Sequence, residues 1–415
     1  GKGHKTVNAV VIGAGAAGLI CAGGLAEKGH EVVLIEKNDK VGKKLFITGK
    51  GRCNLTNSCD AREFLSNVVS NPKFLNSAIY GFTPSDCMDF FSSLGVKLKV
   101  ERGNRVFPAT DKSNDIVKAL EKYVRSNGAD IRFNEKAVAI ETKDGKVVSV
   151  KTDKADYPCD IAVLATGGAT YSSTGSTGDG YKIAEALGHT VADISPALVP
   201  LLAKGVDGLQ GLSLKNVTAG IVVGGKTAAS EFGEMLFTHN GVSGPIILTL
   251  SSLAGKYCDK NGVFGKGTLL SIDLKPALDD ATLDARIQRE IAAAPKAAVK
   301  TLLFNLMPRS LAPKVLAQAR IAEETKAGAL SAKQRSEIVR AVKSLTFALT
   351  AKDRIDFGII TQGGVDVKEI SPKDMSSKKV SGLYVVGELL DVDALTGGFN
   401  LQIAFATAMA VVRAL

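Results

Sequence analysis

The first forty residues constrain the fold of this chain more than any other stretch. A short apolar run, Val7 to Ile12, is followed at once by a Gly-x-Gly-x-x-Gly pattern at Gly13, Gly15 and Gly18, and then by an alanine-rich helical run. A second apolar run ends in Glu36, eighteen residues after the last of these glycines. This order predicts a βαβ dinucleotide-binding unit, in which the glycines permit a tight turn, close approach of a pyrophosphate and helix packing, while the acid binds ribose hydroxyls.

A stretch near the C-terminus has a related pattern. A short apolar run ends at Gly387, and Glu388 and Asp391 follow it with carboxylate acceptors. Residues 399–415 then have helix-forming composition without proline or glycine. The first amides of this helix, near Asn400 to Gln402, are predicted to form a positive end that stabilises an anionic atom such as the pyrimidine edge of a reduced flavin. We therefore expect the chain to return here and close a site opened at its N-terminus; an ordinary last strand and helix is the alternative.

The composition predicts a globular enzyme of two or three domains. The chain has 415 residues, of which 45% are hydrophobic and 23% charged. It shows no signal peptide and no apolar run long enough for a membrane span, so we expect a cytoplasmic protein without a membrane partner. The six cysteines form no CxxC pair and no Cys-His cluster of zinc spacing, which predicts reduced thiols and no metal site.

The formal net charge is +10, with a pI of about 9.1. Lysine and arginine gain affinity for phosphate-bearing partners by releasing counterions, so nucleic acid is a candidate partner. A solvated lysine-rich surface is the alternative, because the sequence has no arginine-rich tail and no known RNA-binding motif. Composition leaves both interpretations open.

The segment from Lys37 to Asn57 is rich in glycine and cations. A loop of this kind directly after the second strand can wrap the phosphates and approach the ring system of a dinucleotide. A solvated surface loop is the alternative. Cys53 within it is interpreted either as a redox thiol or as a cysteine packed beside the cofactor.

Residues 160–164 form a buried strand of parallel-sheet type that ends in Ala165, Thr166 and Gly167, which we expect to pass close to the cofactor. In an earlier predicted strand, Val138 would suit a backbone contact to an adenine. The hydroxyl- and glycine-rich loop 171–181 is either a substrate lip or a turn that caps a helix.

The middle of the chain divides by pattern. Residues 196–274 are strand-like and glycine-rich, which predicts a barrel or sheet, whereas 279–351 have helical spacing. His239, in the polar loop 237–245, is the best candidate for a proton donor, although a structural histidine bonded to the backbone is the alternative. The paired glycines in 361–365 are predicted to approach the flavin ring closely. No second strand-preceded Gly-x-Gly-x-x-Gly occurs.

Several segments together resemble one family. They are residues 13–18, GKGRCN at 49–54, TGSTGDGY at 174–181, LFTHNGVSGP at 236–245 and GLYVVGELLDVDALTGGFNLQIA at 382–404. The chain is similar, over essentially its whole length and in order, to the bacterial BaiN/RdsA-type flavoproteins, also called the aminoacetone oxidase family of FAD-binding enzymes. It departs from the pattern at Ser172, where a proline is expected, and at Ala394, where a glycine is expected.

The resemblance implies an α/β fold with FAD bound non-covalently by a discontinuous doubly wound, Rossmann-like domain, residues 1–192 and 350–415. A β-rich insert, 193–277, and a helical insert, 278–349, would lie between the two halves. The residues expected to contact FAD are Gly13, Gly15, Ala16, Ala17, Gly18, Glu36, Lys37, Lys44, Gly51, Arg52, Cys53, Asn54, Val138, Thr166, Gly167, Gly387, Glu388, Asp391, Gly398, Asn400, Leu401 and Gln402.

The resemblance also implies flavin chemistry, in which a hydride passes from reduced FAD to a polarised C=C bond. His239, Tyr171 and Thr174 are the candidates on the substrate side. Members of the family act on unsaturated bile-acid or steroid ketones, on a uridine in large-subunit ribosomal RNA, or as oxidases of small amines; a non-catalytic FAD-dependent RNA or protein binder is a further alternative. NAD(P)H is a candidate transient electron donor. Oligomeric state is not determined by the sequence.

Overall fold

A computed structural model describes residues 5–169, 178–354 and 360–415 of the chain. The chain forms two compact units, one made of Gly1–Pro196 with Ile355–Leu415 and the other of Ala197–Arg354. The first unit is therefore discontinuous in sequence, and the second unit is inserted into it.

The strands are β1 (Asn8–Ile12), β2 (Glu31–Ile35), β3 (Thr56–Asn57), β4 (Val68–Ser70), β5 (Leu98–Glu101), β6 (Arg105–Pro108), β7 (Asp130–Arg132), β8 (Ala137–Lys143), β9 (Lys146–Thr152), β10 (Asp156–Pro158), β11 (Ile161–Leu164), β12 (Val191–Ala197), β13 (Leu201–Ala203), β14 (Ser213–Val223), β15 (Lys226–Phe237), β16 (Gly241–Ser243), β17 (Leu269–Asp273), β18 (Leu345–Lys352), β19 (Ile360–Val365), β20 (Leu383–Val385) and β21 (Asp393–Ala394).

The helices are α1 (Ala16–Glu27), α2 (Lys43–Ile47), α3 (Ala61–Ser66), α4 (Asn76–Gly81), α5 (Pro84–Ser93), α6 (Ser113–Ser126), α7 (Asp179–Ala186), α8 (Pro245–Leu253), α9 (Asp280–Ala293), α10 (Val299–Leu303), α11 (Ala312–Ala319), α12 (Ala332–Lys343) and α13 (Phe399–Ala414). Short 3-10 turns connect several of them.

The first unit is built on a five-stranded parallel sheet in the order β20-β11-β1-β2-β7. The strands at its centre are buried, because α1 packs with α6 and α13 over the sheet. The last strand of this sheet in chain order, β20, pairs with β11, which pairs with β1. The C-terminal stretch thus lies one strand away from the N-terminal glycine turn, and the Rossmann-like α/β fold expected from the sequence is confirmed.

The glycine turn after β1 requires glycine for steric reasons at two positions. Gly13 has a φ of +106°, and a Cβ there would lie 2.4 Å from the carbonyl oxygen of Ala165. A Cβ on Gly18 would lie 1.7 Å from the carbonyl oxygen of Gly13. Contacts this short are impossible for a side chain, so the close packing of α1 onto β1 and β11 depends on both glycines.

The second unit contains a closed barrel in the order β13-β16-β15-β14-β17-β18, together with α8 to α12. Barrel residues such as Leu270 and Ile272 share one buried cluster with helix residues such as Leu316 and Val339. The strand-rich and helical segments, which the sequence analysis separated, therefore share a hydrophobic core.

One part of the helix prediction is wrong. The helical segment was expected to run to residue 349, but α12 ends at Lys343 and the chain enters β18 at Leu345. Leu345, Phe347 and Leu349 are buried at alternate positions, which is the spacing of a strand with one face in a core. The strand is needed to close the barrel between β17 and β13.

The described cysteines are free thiols, and five of the six are buried. Within the described ranges, no group of three or more His, Cys, Asp and Glu side chains is arranged to hold a metal ion. In the same part of the chain, no helix combines the length and the apolar character needed to cross a bilayer.

Candidate functional site

The turn from β1 into α1 presents the features of an anion site. Gly15 precedes the helix, and a Cβ built on it meets no atom within 4 Å, so its missing side chain faces open space. The first turn of α1, which begins with Ala16 and Ala17, has neither a side-chain cap nor an acidic residue. A pyrophosphate can therefore approach the backbone amides at the positive end of the helix.

Glu36 lies at the end of β2 and is 9% exposed. Its Oε1 accepts a hydrogen bond from the amide of Ala14 at 3.0 Å, and its Oε2 accepts one from the amide of Asn38 at 2.8 Å. These bonds hold the carboxylate beside the glycine turn, where each oxygen keeps a lone pair for a further donor. The next residue, Lys37, forms an ion pair with Asp179 at 2.8 Å.

The C-terminal stretch contacts α2 and the start of α1. The ammonium group of Lys44, on α2, lies 2.6 Å from Oε2 of Glu388, 344 residues later in the chain. The other carboxylate oxygen of Glu388 accepts a hydrogen bond from the amide of Thr361 at 2.7 Å. Gly387 has a φ of +73°, and a Cβ on it would lie 3.1 Å from the Cβ of Ala17. The two sequence motifs therefore meet at the start of α1.

Three polar residues of the GKGRCN segment and its continuation hold the loop before α13. Oδ1 of Asn54, in the amide orientation that satisfies both of its ends, accepts from the amide of Gly398 at 2.9 Å. The hydroxyl of Thr56 donates to Oε1 of Gln402 at 2.8 Å, and the side-chain amide of Asn57 donates to the carbonyl of Gly397 at 3.0 Å. The two ends of the chain are thus joined directly.

Gln402 differs from its predicted role as a flavin contact. Its backbone amide donates to the carbonyl of Gly398 at 3.2 Å, as a helix interior requires, and its side chain is fully buried between Thr56 and the carbonyl of Phe82. Its polar groups are therefore engaged within the protein. The predicted set of amides extended one residue too far along the helix. Gln402 is the fourth residue of α13, and only the amides before the fourth position lack a partner within the helix.

The amides of Phe399, Asn400 and Leu401 form the positive start of α13. None of the three has a hydrogen-bond acceptor in the described parts of the chain, and Gly398 supplies no side-chain cap. The side chain of Asn400 is used elsewhere, since it bonds both the amide and the carbonyl of Ala394. Phe399 was not among the predicted contacts, although it begins a run without proline or glycine that indicates a helix start.

A buried hydroxyl without a partner marks the end of β11. Oγ1 of Thr166 is inaccessible to solvent, and no described residue offers it a hydrogen bond. Burial of an unpaired hydroxyl costs about 1–3 kcal/mol, so a ligand that bonded it would recover that energy. The following Gly167 has a φ of +74° and lets the chain turn away from the sheet. The orphaned hydroxyl, the open Gly15 and the two uncapped helix starts together fit a bound dinucleotide such as FAD.

Arg52 and Cys53 have protein partners in this structure. The guanidinium of Arg52 bonds Asp111 at 2.8 and 2.9 Å and Glu101 at 2.5 Å, and it lies 4.1 Å from the ring centroid of Phe107. Cys53 is fully buried, and this burial raises the pKa of its thiol to about 12. A thiol of this kind stays protonated near neutral pH, which favours the interpretation of Cys53 as a packed residue. Gly51 beside them faces open space.

Val138 and Asp391 lie at irregular points of the backbone. Val138 is 48% exposed and sits at a bulge between β8 and β9, where it has no partner in the strand register. Its contact to an adenine stays a prediction. The amide of Asp391 bonds the carbonyl of Val365 at 3.0 Å. Burial, and next the charge of Asp366, raise the pKa of the Asp391 carboxyl.

The paired glycines of β19 serve packing within the protein. A Cβ on Gly363 would lie 2.2 Å from the carbonyl oxygen of Asp193, and one on Gly364 would lie 2.5 Å from that of Leu389. Neighbouring backbone therefore occupies the space that a side chain at either glycine would need. The approach of these glycines to a flavin ring stays a prediction.

The candidates on the substrate side are only partly described. Tyr171 and Thr174 lie outside the described residues. His239 belongs to the second unit, where it is exposed in the turn between β15 and β16 that is closed by a hydrogen bond from Thr238 to Gly241 at 2.9 Å. No described residue bonds its imidazole, so the structure does not use His239 as a buried structural histidine.

Comparison with known proteins identifies the family. The model described as HI0933-like protein Rossmann domain matches residues 7–414. A 3-dehydro-bile acid delta(4,6)-reductase of Clostridium scindens is 29% identical over 97% of this chain and 98% of its own. A ribosomal RNA dihydrouridine synthase of Haemophilus influenzae is 30% identical over 97% of this chain and 96% of its own.

Solved structures share the fold at much lower identity. A 3-ketosteroid-delta4-(5alpha)-dehydrogenase from Rhodococcus jostii RHA1 has a TM-score of 0.52 at 16% identity, covering 100% of this chain and 98% of its own. A 3-ketosteroid delta1-dehydrogenase from Sterolibacterium denitrificans has a TM-score of 0.51 at 12% identity, covering 99% and 100%. The chain belongs to the HI0933-like Rossmann-domain family and is an oxidoreductase of the flavoprotein class.

Proposed function

We propose that this protein binds FAD non-covalently and reduces a carbon–carbon double bond conjugated to a carbonyl group, with a uridine of ribosomal RNA as its substrate. The observation that carries the proposal is the uncapped start of α13, which residues from the opposite end of the chain hold in place. When bound, FAD would supply the hydride for such a reduction.

Different residues of the first unit would bind different parts of FAD. Amides at the start of α1, next to the open Gly15, would bind the pyrophosphate, and Glu36 would accept hydrogen bonds from ribose hydroxyls. Thr166 would gain a partner for its buried hydroxyl. The amides of Asn400 and Leu401 would stabilise negative charge on the reduced ring, because they lie at a positive helix end.

Both kinds of curated relative support reduction of a conjugated double bond. One is named as a bile acid delta(4,6)-reductase and others as dihydrouridine synthases. Dihydrouridine is uridine whose ring C=C bond, conjugated to a carbonyl, has been reduced. The two reactions therefore share their chemistry, and identities of 29–30% do not separate them. The net charge of +10 favours the polyanionic substrate.

We further propose NAD(P)H as a transient electron donor, since the sequence has one dinucleotide fingerprint and no second. His239, Tyr171 and Thr174 remain the candidates for supplying the proton that completes the reduction. The exposed imidazole of His239, which no described residue bonds, supports its place among them.

The test is mass spectrometry of dihydrouridine in large-subunit ribosomal RNA from a strain that lacks this gene and from the same strain with the gene restored. Loss and recovery of the modification support the RNA substrate; an unchanged level overturns it. The protein is then reduced without oxygen and mixed with either an unsaturated steroid ketone or oxygen, and the faster acceptor separates a ketone reductase from an amine oxidase. A flavin that no donor reduces would indicate a non-catalytic binder.

A further inference from the structure

The positive charge of this protein is concentrated in the second unit. Residues 197–354 contain 21 lysines and arginines against 13 aspartates and glutamates, a net charge of +8 out of the total of +10. The first unit contains 31 against 29, a net charge of +2. The excess therefore belongs to the inserted unit, and the unit with the candidate cofactor site is nearly neutral.

Within the second unit, residues 291–322 contain basic residues without any acidic ones, and we call them the basic segment. It contains five cations and no aspartate or glutamate. Its helices α10 and α11 bury apolar side chains such as Leu303, Val315 and Leu316 in the core of the unit. Because these side chains occupy the face that packs on the core, the cations of the segment lie on the solvent-facing side.

Four of the five cations have no ion-pair partner in the described ranges. They are Lys296, Arg309, Lys314 and Arg320. The fifth, Lys300, pairs with Glu324 at 2.9 Å.

Some cations elsewhere in the same unit are paired with carboxylates. Arg335 pairs with Asp284 at 3.3 Å, and Lys343 pairs with Asp273 at 2.8 Å. The basic segment is distinguished by its lack of carboxylates, and positive charge attracts a polyanion most strongly when no acid competes for it.

An aromatic ring lies beside one of these cations. The guanidinium of Arg309 is 4.8 Å from the ring centroid of Phe304, which is half-buried. Stacking of this kind orients the planar guanidinium and reduces the freedom lost when it bonds a phosphate in a bidentate manner. An arginine oriented by a neighbouring ring is better suited to a phosphate backbone than a freely moving lysine would be.

We propose that the basic segment binds the phosphate backbone of the substrate RNA through Lys296, Arg309, Lys314 and Arg320. The inference rests on the proposed function and assigns RNA affinity to the inserted unit. Phosphate contacts position a nucleic acid and carry no sequence information, so this surface supplies affinity while base recognition lies elsewhere.

The test compares the salt dependence of RNA binding, measured by fluorescence anisotropy with an unmodified transcript of large-subunit ribosomal RNA. The test variant is K296A/R309A/K314A/R320A. The matched control removes four exposed lysines of the first unit and is K97A/K118A/K122A/K151A. Each phosphate contact contributes about 0.7–0.9 to the slope of log affinity against log salt, so the slope should fall by about 3 in the test variant and by less than about 1 in the control.

A charge-retaining variant, K296R/R309K/K314R/R320K, keeps the inference testable if the alanine variant is poorly folded, since it should retain most of the slope. Equal slopes in the wild type and the alanine variant overturn the inference while leaving the proposed RNA substrate standing. A wild-type protein that does not bind the transcript overturns both. If the alanine variant lost binding to phosphatidylglycerol vesicles but bound RNA as the wild type does, the basic segment would be a lipid-facing surface. That outcome would overturn the RNA assignment.

Discussion

The ammonium group of Lys44 lies 2.6 Å from the carboxylate of Glu388, and this ion pair joins α2 to the turn that follows the last strand of the parallel sheet. Both side chains are about one-fifth exposed, at 22% and 19%. The pair therefore lies between the weak ion pairs of a surface and the costly ones of an interior. It connects the glycine-rich and cationic segment Lys37 to Asn57 with the C-terminal stretch.

We expect E388Q to lower the free energy of unfolding by about 2 kcal/mol, because glutamine removes the charge opposite Lys44 but keeps an oxygen for the amide of Thr361. Urea unfolding of the FAD-free protein measures the change. The matched control is D130N, which breaks the exposed pair with Arg132 and should cost less than about 1 kcal/mol. Equal losses of unfolding free energy in E388Q and D130N would show that the pair with Lys44 stabilises the protein no more than an exposed ion pair does.

Two glycines of the N-terminal turn should respond differently to alanine. G15A should leave the stability of the FAD-free protein within about 1 kcal/mol of wild type, because its methyl group meets no atom within 4 Å, yet it should weaken FAD binding at least about tenfold. G18A should destabilise the protein itself by several kcal/mol, because its methyl group would lie 1.7 Å from the carbonyl oxygen of Gly13. Thermal unfolding and flavin titration separate the two effects, and equal FAD affinity in G15A and the wild type would contradict the proposed approach of the pyrophosphate.

The buried side chain of Gln402 should act on stability. Q402L leaves the carbonyl of Phe82 and the hydroxyl of Thr56 without partners, which should cost about 1–3 kcal/mol in equilibrium unfolding. The double variant T56V/Q402L removes one of these orphaned groups and should recover part of the loss. A Q402L protein of wild-type stability would contradict the structural role that we assign to this residue.

Cys53 should be unreactive in the native protein. Burial raises the pKa of its thiol to about 12, so the thiolate fraction stays small at pH 7 and at pH 9. Iodoacetamide followed by peptide mass spectrometry should find Cys258, which is only partly buried, modified before Cys53. Denatured protein, in which all six thiols should react, is the control. Fast alkylation of native Cys53 with loss of activity would instead favour a redox or catalytic thiol.

Glu369 should make stability depend on pH below about 4.5. Burial opposes its charge, but hydrogen bonds from the amide and hydroxyl of Thr190, from Lys379 and from His189 outweigh burial and lower the pKa of Glu369 to about 2.

A carboxyl group whose pKa is lower in the folded state stabilises the fold above its unfolded pKa, and this contribution is lost as pH falls toward the folded pKa. Unfolding free energies of wild type and E369Q should therefore differ most at neutral pH and converge between about pH 4.5 and 2. A difference that stays constant across this window would show that the charge of Glu369 is not responsible.

The sequence determined the parallel sheet and its glycine turn because these depend on local patterns. An apolar strand, three glycines at fixed spacing and a following helix specify one another within about thirty residues, so Gly13, Gly15, Gly18 and Glu36 were assigned places that the structure also gives them. The strand-rich and helical character of the insert was readable for the same reason, apart from β18. That strand follows α12 without a turn signal in the sequence. It is stabilised by pairing with β17 and β13, which closes the barrel.

Only the tertiary structure decided which polar groups remain for a ligand. Gln402 stands in a motif that suggests a flavin contact, yet its backbone amide and its side-chain amide are bonded within the protein. Thr166 and the first amides of α13 are left without partners in the described chain. Whether a hydrogen-bonding group is satisfied depends on residues hundreds of positions away, as Thr56 with Gln402 and Lys44 with Glu388 show. Local sequence carries no information on such pairing, because the pairing arises only when the sheet brings both ends of the chain together.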